Sequence, residues 1–501
     1  MKSMVNDFKS SLKNNYKIII FCFLCSFITL LFCSKSSFIY PFNDTYDVNA
    51  YFTVGKSWVN GLIPYKDLFD HKGPFVYIVY GLASLISYRS YLGVFILEVL
   101  FFTVFLFYIS KIINIFLPKR YSYFIIPFFA VLICSIPTFV VGGTVEEFCL
   151  PFVAYTFYYL LIYFKGKELS KKDFFKNGLV AGIIFMTKFN FLAFWFGFMF
   201  FIMIDLIIQK KYKEAITDAG VFLIGMFTPF LVFIIYFALN HALKDFFYVY
   251  FYANIFGYNA SSKSILTSIT NTYTNFIGSL LNNTLVVFLL FMASFGFIRT
   301  SKLNKKYKIM LTMIILIFVY GIFMGDLAYF YYLTILLPIM ILGVIGLCLY
   351  FKDYIDKIIY KKYSYVLFIM LYILFSFMAF KCSNAKEDMF KSQKDTLQYK
   401  YSQIINKDDD KSLLNIGLDY GMYFMTGTIP NYKYFASMNF NPSKFPDNYI
   451  AQKQYIERGQ PKYIVTADNH NFDDLILKKY ELVSENYKNA HQSYALYKRK
   501  D

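Results

Sequence analysis

Between Asp44 and Tyr77 the chain reads DTYDVNAYFTVGKSWVNGLIPYKDLFDHKGPFVY, which places four aspartates, three lysines and a histidine inside a chain that is 57% hydrophobic. Carboxylates and ammonium groups at that density can move protons and hold anions, so each is weighed against its plain structural use. VNAYFTVGKSWV has the spacing of a helix, with Val48, Tyr51, Phe52, Gly55, Trp58 and Val59 along one face and Gly61 and Pro64 ending it. Asp44 falls at its N-cap and Asp47 in its first turn, where acids satisfy free N–H groups and the helix dipole. That use alone accounts for both aspartates, and a chemical role requires partners. Lys72 supplies one: Gly73 and Pro74 turn the chain tightly behind it. It either snorkels at a membrane interface or, beside His71, binds a phosphate as a compact point charge.

Two further groups have the same double reading. Glu146 and Glu147, in FVVGGTVEEFCLPF, sit between two apolar runs, either as a solvated helix start or as a paired-acid site. In NGLVAGIIFMTKFNF, Gly178 and Gly182 form a GxxxG pair suited to close helix packing. Lys188 follows near the end of that apolar helix. An ionisable group there is costly, so it either snorkels or serves function.

The elements that must position these residues belong to a membrane protein. Charged residues make up 16% of the 501, against about 25% in soluble domains, and the mean hydropathy is +0.46. Runs near 18–35, 92–116, 122–141, 148–164, 177–190, 191–209, 218–239, 281–299, 308–325, 330–351 and 364–381 give about eleven spans, all but the short fifth near the roughly 17–25 residues a transmembrane helix needs. The net charge of +18 is a topology signal rather than a nucleic-acid footprint. The clusters MKSMVNDFKSSLKNNYK, LPKRY, KGKELSKKDFFK, QKKYKE, RTSKLNKKYK and KDYIDKIIYKKY all fall on one side if the N-terminus is cytoplasmic, as the positive-inside rule asks. The first span is read as an uncleaved anchor rather than a signal peptide.

Alternation then leaves three polar regions outside: 36–91, about 240–280, and the tail. Within the first, the 48–59 helix is expected to be amphipathic and to lie at the membrane surface, with Tyr51 and Trp58 at the interface. The tail, 382–501, carries the strand-like pieces LLNIGL, KYIVTA, YELVSE and SYALYK and reads as a small extracytoplasmic α/β domain after a transmembrane domain of residues 1–381. The seven cysteines lie mostly in or beside spans and suggest no disulfide framework. There is no P-loop or HExxH motif.

Together, Asp47–Val–Asn–Ala–Tyr51, Gly55, GLIPY ending at Tyr65, DLFDHKGP from Asp67 to Pro74, and Tyr77 resemble the first external loop of GT-C-type, polyprenyl-phosphate-sugar-dependent glycosyltransferases. This superfamily holds the protein O-mannosyltransferases and the aminoarabinose transferase that modifies lipid A, and bacterial members are the nearest in kind. GGTVEEFCLPF, GLVAGIIFMTK and DLAYFYYLTILLP extend the resemblance over most of the membrane region. It implies an α-helical polytopic fold of the GT-C type in the cell membrane. It also implies transfer of a sugar from a polyprenyl-phosphate donor to an envelope glycan, lipid or protein acceptor, with inversion. By the same resemblance Asp47 is the general base, with Asp44 the alternative. Lys72 and Lys188 hold the lipid phosphate, and Glu146 and Glu147 form a second acidic site that orients the acceptor, holds a metal or positions a lysine. Tyr51 and Tyr331 join the substrate site, Tyr331 standing where some relatives have histidine. His71 stands where some members bind a divalent metal, and Asp326 is a further external acid. A lipid-linked sugar flippase or transporter and an envelope polysaccharide polymerase are the alternatives. Transporters keep their binding groups near mid-bilayer, whereas these lie at one surface.

Overall fold

The computed structural model describes residues 2–257, 265–324, 329–361, 364–416, 421–437, 440, 443, 445–467, 472–489 and 492–500. Asp326 lies outside the described residues. The chain divides into two compact units. The first comprises Met1–Ser34, Phe95–Pro229 and Ser264–Glu387, and the second Lys35–Val94, Phe230–Lys263 and Asp388–Asp501.

Helices make the first unit. These include α1 (Lys2–Cys33), most of α4 (Leu92–Phe116), α5 (Lys119–Ser135), α6 (Val145–Phe164), α7 (Lys171–Phe185), α8 (Ala193–Ile208) and the start of α9 (Tyr212–Leu239). Among the described residues eight helical stretches are long and apolar enough to cross a membrane. Each of the eleven expected spans meets a helix, and the three beyond those eight meet shorter ones. α5 has 17 residues, α7 has 15 and Leu285–Thr300 has 16. In the 122–141 run the reason is local: Pro137 opens a separate 3-10 turn and Val140 takes a positive φ of 59°, so the residues after Ser135 leave the helix. Gly178 and Gly182 take the packing role their spacing suggests. A methyl on either would stand 2.1 Å from the Phe222 carbonyl oxygen or 2.3 Å from that of Met226, so α7 lies directly on the α9 backbone. All seven cysteines are free thiols.

The second unit gathers the first polar segment, nearly all of the tail and the 240–263 part of the middle segment, whose remainder belongs to the first unit, where Ile265–Leu281 is a helix. Within the second unit α2 (Tyr46–Val59) corrects two expectations. Its N-cap is Thr45, not Asp44, because Asp44 instead forms a 2.7 Å ion pair with Lys35. Nor is α2 an amphipathic surface helix: residues 48–57 are buried without a break. One cause is α3 (Pro74–Ile86), a 13-residue apolar helix formed inside the loop read as polar. Gly55 and Gly81 let the two backbones touch, since a methyl on Gly55 would come within 2.7 Å of Gly81 nitrogen and Tyr77 oxygen. The other cause is the tail, whose Phe424 meets Phe52 edge-on at 5.4 Å.

The tail closes on a four-stranded sheet, as its strand-like pieces predict. β1 (Leu413–Ile416), β2 (Tyr463–Ala467), β3 (Tyr480–Asn489) and β4 (Gln492–Arg499) stand in the order β1-β2-β4-β3. β1 and β2 are parallel and the other pairs antiparallel. Leu414, Ile464, Ile476 and Tyr480 fill its core with Ile456 from a preceding helix. Alternation puts Leu414, Ile464 and Tyr480 on one face of the sheet, against the helices that carry Ile456 and Ile476.

Candidate functional site

In the second unit the DHKGP turn is fixed from every side. Tyr65 donates to the Lys72 carbonyl at 2.6 Å, the Lys72 N–H donates to the Tyr77 hydroxyl at 3.0 Å, and the Asn254 amide donates to the His71 carbonyl at 2.6 Å. Tyr65 adopts a positive φ of 71°, and Asp67 closes the turn before it by accepting from the Ile63 N–H at 2.7 Å. Phe69 donates its N–H to the Lys433 carbonyl and packs at a tilt against Tyr434, while the His71 ring lies 4.9 Å from that of Phe440. These contacts fix where the half-buried Lys72 leaves the backbone.

Asp70 is the residue that sequence reasoning passed over. Its carboxyl is 3% exposed; one oxygen accepts from the His71 N–H at 2.6 Å and the other has no hydrogen-bond partner. Burial pushes its pKa up to about 6 and the nearby Asp47 charge adds to that, while Lys72, the His71 N–H and the Tyr77 hydroxyl act against it. Asp47, Asp70 and Lys72 therefore form one electrostatic group, with Asp47 half-buried in the first turn of α2. The sign of the linkage follows. Unfolded, Asp70 titrates near 3.9, so between roughly pH 4 and 6 the folded chain binds more protons and stability falls as pH rises. Asp70→Asn is expected to raise the melting temperature at about pH 7.5 and to lose that advantage near pH 4, as thermal scans across pH would read.

Asp44 is held differently. Lys35 pairs at 2.7 Å with both Asp44 and Asp388. Burial works against the Lys35 ammonium, but the two carboxylates outweigh it and hold its pKa above the ordinary value. Asp44 thus ties the start of the first loop to the start of the tail. Tyr51 is buried and packs edge-on against Tyr80 at 5.5 Å. His71 Nδ1 and Asp70 Oδ1 are 3.6 Å apart. Among the described residues no third His, Cys, Asp or Glu joins them as a metal set. Two donors fall short of the three protein ligands typical of a catalytic zinc, and no step below runs through a metal.

In the first unit the second constellation assembles. Thr144 caps α6 by accepting from the Glu147 N–H, and the acids stand in its first turn. Glu146 is 2% exposed and takes the Lys188 ammonium at 2.7 Å. Lys188 stands just past α7, its charge 3.9 Å from the ring centre of Tyr332. Tyr331, the expected site tyrosine, stacks on Tyr329 at 5.3 Å and meets Tyr332 edge-on, so its neighbour is the one that touches the lysine. Glu147 turns the other way and accepts from the Gly143 N–H at 2.8 Å. It lies beside Glu98, which is fully buried and accepts from Ser34 at 2.9 Å. Gly142 makes room there, with a φ of +82°, because any side chain would run into Ser34 and Glu98. Sequence reasoning missed Glu98 as well, although the signal was there: it is a lone carboxylate in the apolar run LGVFILEVLFF, where an ionisable residue is a functional candidate by default.

No protein-family model and no curated protein matches the chain. Solved structures do. ArnT from Cupriavidus metallidurans bound to undecaprenyl phosphate aligns with a TM-score of 0.60 at 10% identity, covering 97% of this chain and 98% of that one. The same protein in the apo state aligns with a TM-score of 0.56 at 11% identity over the same shares. The chain is a multi-pass membrane protein with an ArnT-like fold, and its own C-terminal tail carries a small sheet.

Proposed function

We propose that the protein is a membrane glycosyltransferase that moves a sugar from a polyprenyl-phosphate donor to an envelope glycan, lipid or protein. The observation that carries this reading is the fold it shares, over 97% of its length, with an ArnT bound to undecaprenyl phosphate. Asp47 acts as the general base. The acceptor hydroxyl attacks the anomeric carbon and gives its proton to the Asp47 carboxylate, and the bond from that carbon to the phosphate oxygen breaks with inversion. Both electrons of that bond leave with the lipid phosphate. Lys72 and Lys188 take up the growing charge, a fixed electrostatic contribution that is often the largest in such reactions. Glu146 positions Lys188, the lysine-positioning alternative for the second acidic pair, and that assignment draws support from their 2.7 Å contact. Tyr51 and Tyr331 shape the surroundings of the substrate.

The reaction faces outward from the cell membrane in this reading. Support comes from the second unit, which gathers the first loop, the 240–263 part of the second outside segment and nearly all of the tail, all of which positive-inside topology leaves outside. The reading is tested by mass spectrometry of envelope glycans and lipids from cells with and without the protein. Loss of one glycosyl mass from a single envelope component supports it, whereas an unchanged envelope glycome opposes it.

A further inference from the structure

Lys56 has no place in the chemistry above, yet it is 2% exposed and its ammonium has no hydrogen-bond partner. It stands nine residues beyond Asp47 on α2, about 13 Å along the axis at roughly 1.5 Å per residue. Its charge lies 4.1 Å from the ring centre of Tyr88. Arg89, the residue after Tyr88, is a second cation that acts on it: burial draws the Lys56 pKa down to about 8, and Arg89 adds to that. The Arg89 guanidinium lies beside the turn at Gly427, where a methyl would meet it at 3.5 Å. Among the described residues no carboxylate pairs with either. Two like charges drawn together with no counter-charge, one of them buried, cost stability unless an anion joins them.

What lies next to them points to the anion's source. α3 ends at Ile86, just before Tyr88 and Arg89, and its last turns expose Leu82, Leu85 (69%) and Ile86. An apolar exposed helix end followed directly by a cation has the pattern of a membrane interface, with carbon chains alongside and headgroups at the charge.

We propose that Lys56 and Arg89 form a phosphate-binding site, separate from Asp47, that takes the phosphate of an anionic lipid headgroup. The Lys56 ammonium is the buried anchor and Arg89 the exposed fork.

Full-length protein purified in detergent would be titrated with phosphatidylglycerol, with phosphatidylcholine and with inorganic phosphate. Native mass spectrometry reads the adducts and melting temperature reads the stabilisation. Wild type should retain phosphatidylglycerol about tenfold more tightly than either Lys56→Met or Arg89→Gln, as expected for the loss of a charge-assisted contact. Arg89 is exposed, so its variant folds even if the Lys56 change disturbs packing. Stabilisation by phosphatidylglycerol alone identifies the lipid as the source, and stabilisation by inorganic phosphate as well identifies the phosphate group itself as sufficient. Equal phosphatidylglycerol retention by wild type and both variants, or none by wild type, overturns the site.

Discussion

Asp47→Asn is expected to give a folded, inserted protein whose sugar transfer falls by about 10²–10⁴-fold, the usual contribution of a general base. Asparagine matches the shape of aspartate, and Asp47 holds no ion pair among the described residues, so packing should survive. The lost charge at the first turn of α2 costs about 0.3–1 kcal/mol through the helix dipole. Asp44→Asn provides the contrast. That residue shares the Lys35 ammonium with Asp388, so its loss should lower melting temperature more than Asp47→Asn does while leaving the chemical step in place. Turnover and melting curves for the two variants separate base from tether. Full turnover by Asp47→Asn would remove the base from the scheme.

Glu146→Gln should be among the most destabilising single changes in the chain. Glu146 is 2% exposed, and its carboxylate faces an ammonium that is itself mostly buried. Breaking a buried pair strands the remaining charge, at about 3–5 kcal/mol. The aromatic faces of Tyr332 and Phe191 cushion Lys188, but a cation–π contact is worth only about 0.5–2 kcal/mol. Removing both charges in Glu146→Gln/Lys188→Met should restore most of the stability, because no uncompensated ion remains, while transfer stays low for want of the second cation. A double-mutant cycle of thermal unfolding in detergent measures the coupling. A coupling under about 1 kcal/mol would mean that Glu146 does not hold Lys188.

Much of this was legible from the chain, for reasons that can be named. The strands showed because LLNI and YIVTA are short apolar runs, while the last two pieces mix apolar and polar residues with aromatic and β-branched side chains, and turn residues separate them. The DHKGP turn showed because glycine and proline punctuate a charged run. Burial was what the sequence hid. α2 looked one-sided because its partners, α3 and the Phe424 segment, come from elsewhere in the chain, and periodicity carries no information about a second covering surface. Asp70 was overlooked beside Lys72 for the same reason, since only the fold puts its carboxyl under Tyr77 and near Asp47. Tyr331 and Tyr332 differ by one position on a 3-10 turn, and sequence alone cannot choose which ring meets Lys188. Thr45 displaced Asp44 as the cap because a distant lysine competes for the aspartate.

Cleavage of the donor is the most direct point of test. Purified protein in liposomes would be given a polyprenyl-phosphate sugar and an envelope extract, with the lipid fraction followed by mass spectrometry. Wild type should convert the donor to bare polyprenyl phosphate as a glycosylated acceptor appears in equal amount, and Asp47→Asn should do neither. Donor recovered chemically intact but moved to the opposite leaflet would contradict glycosyl transfer and mark the protein as a flippase.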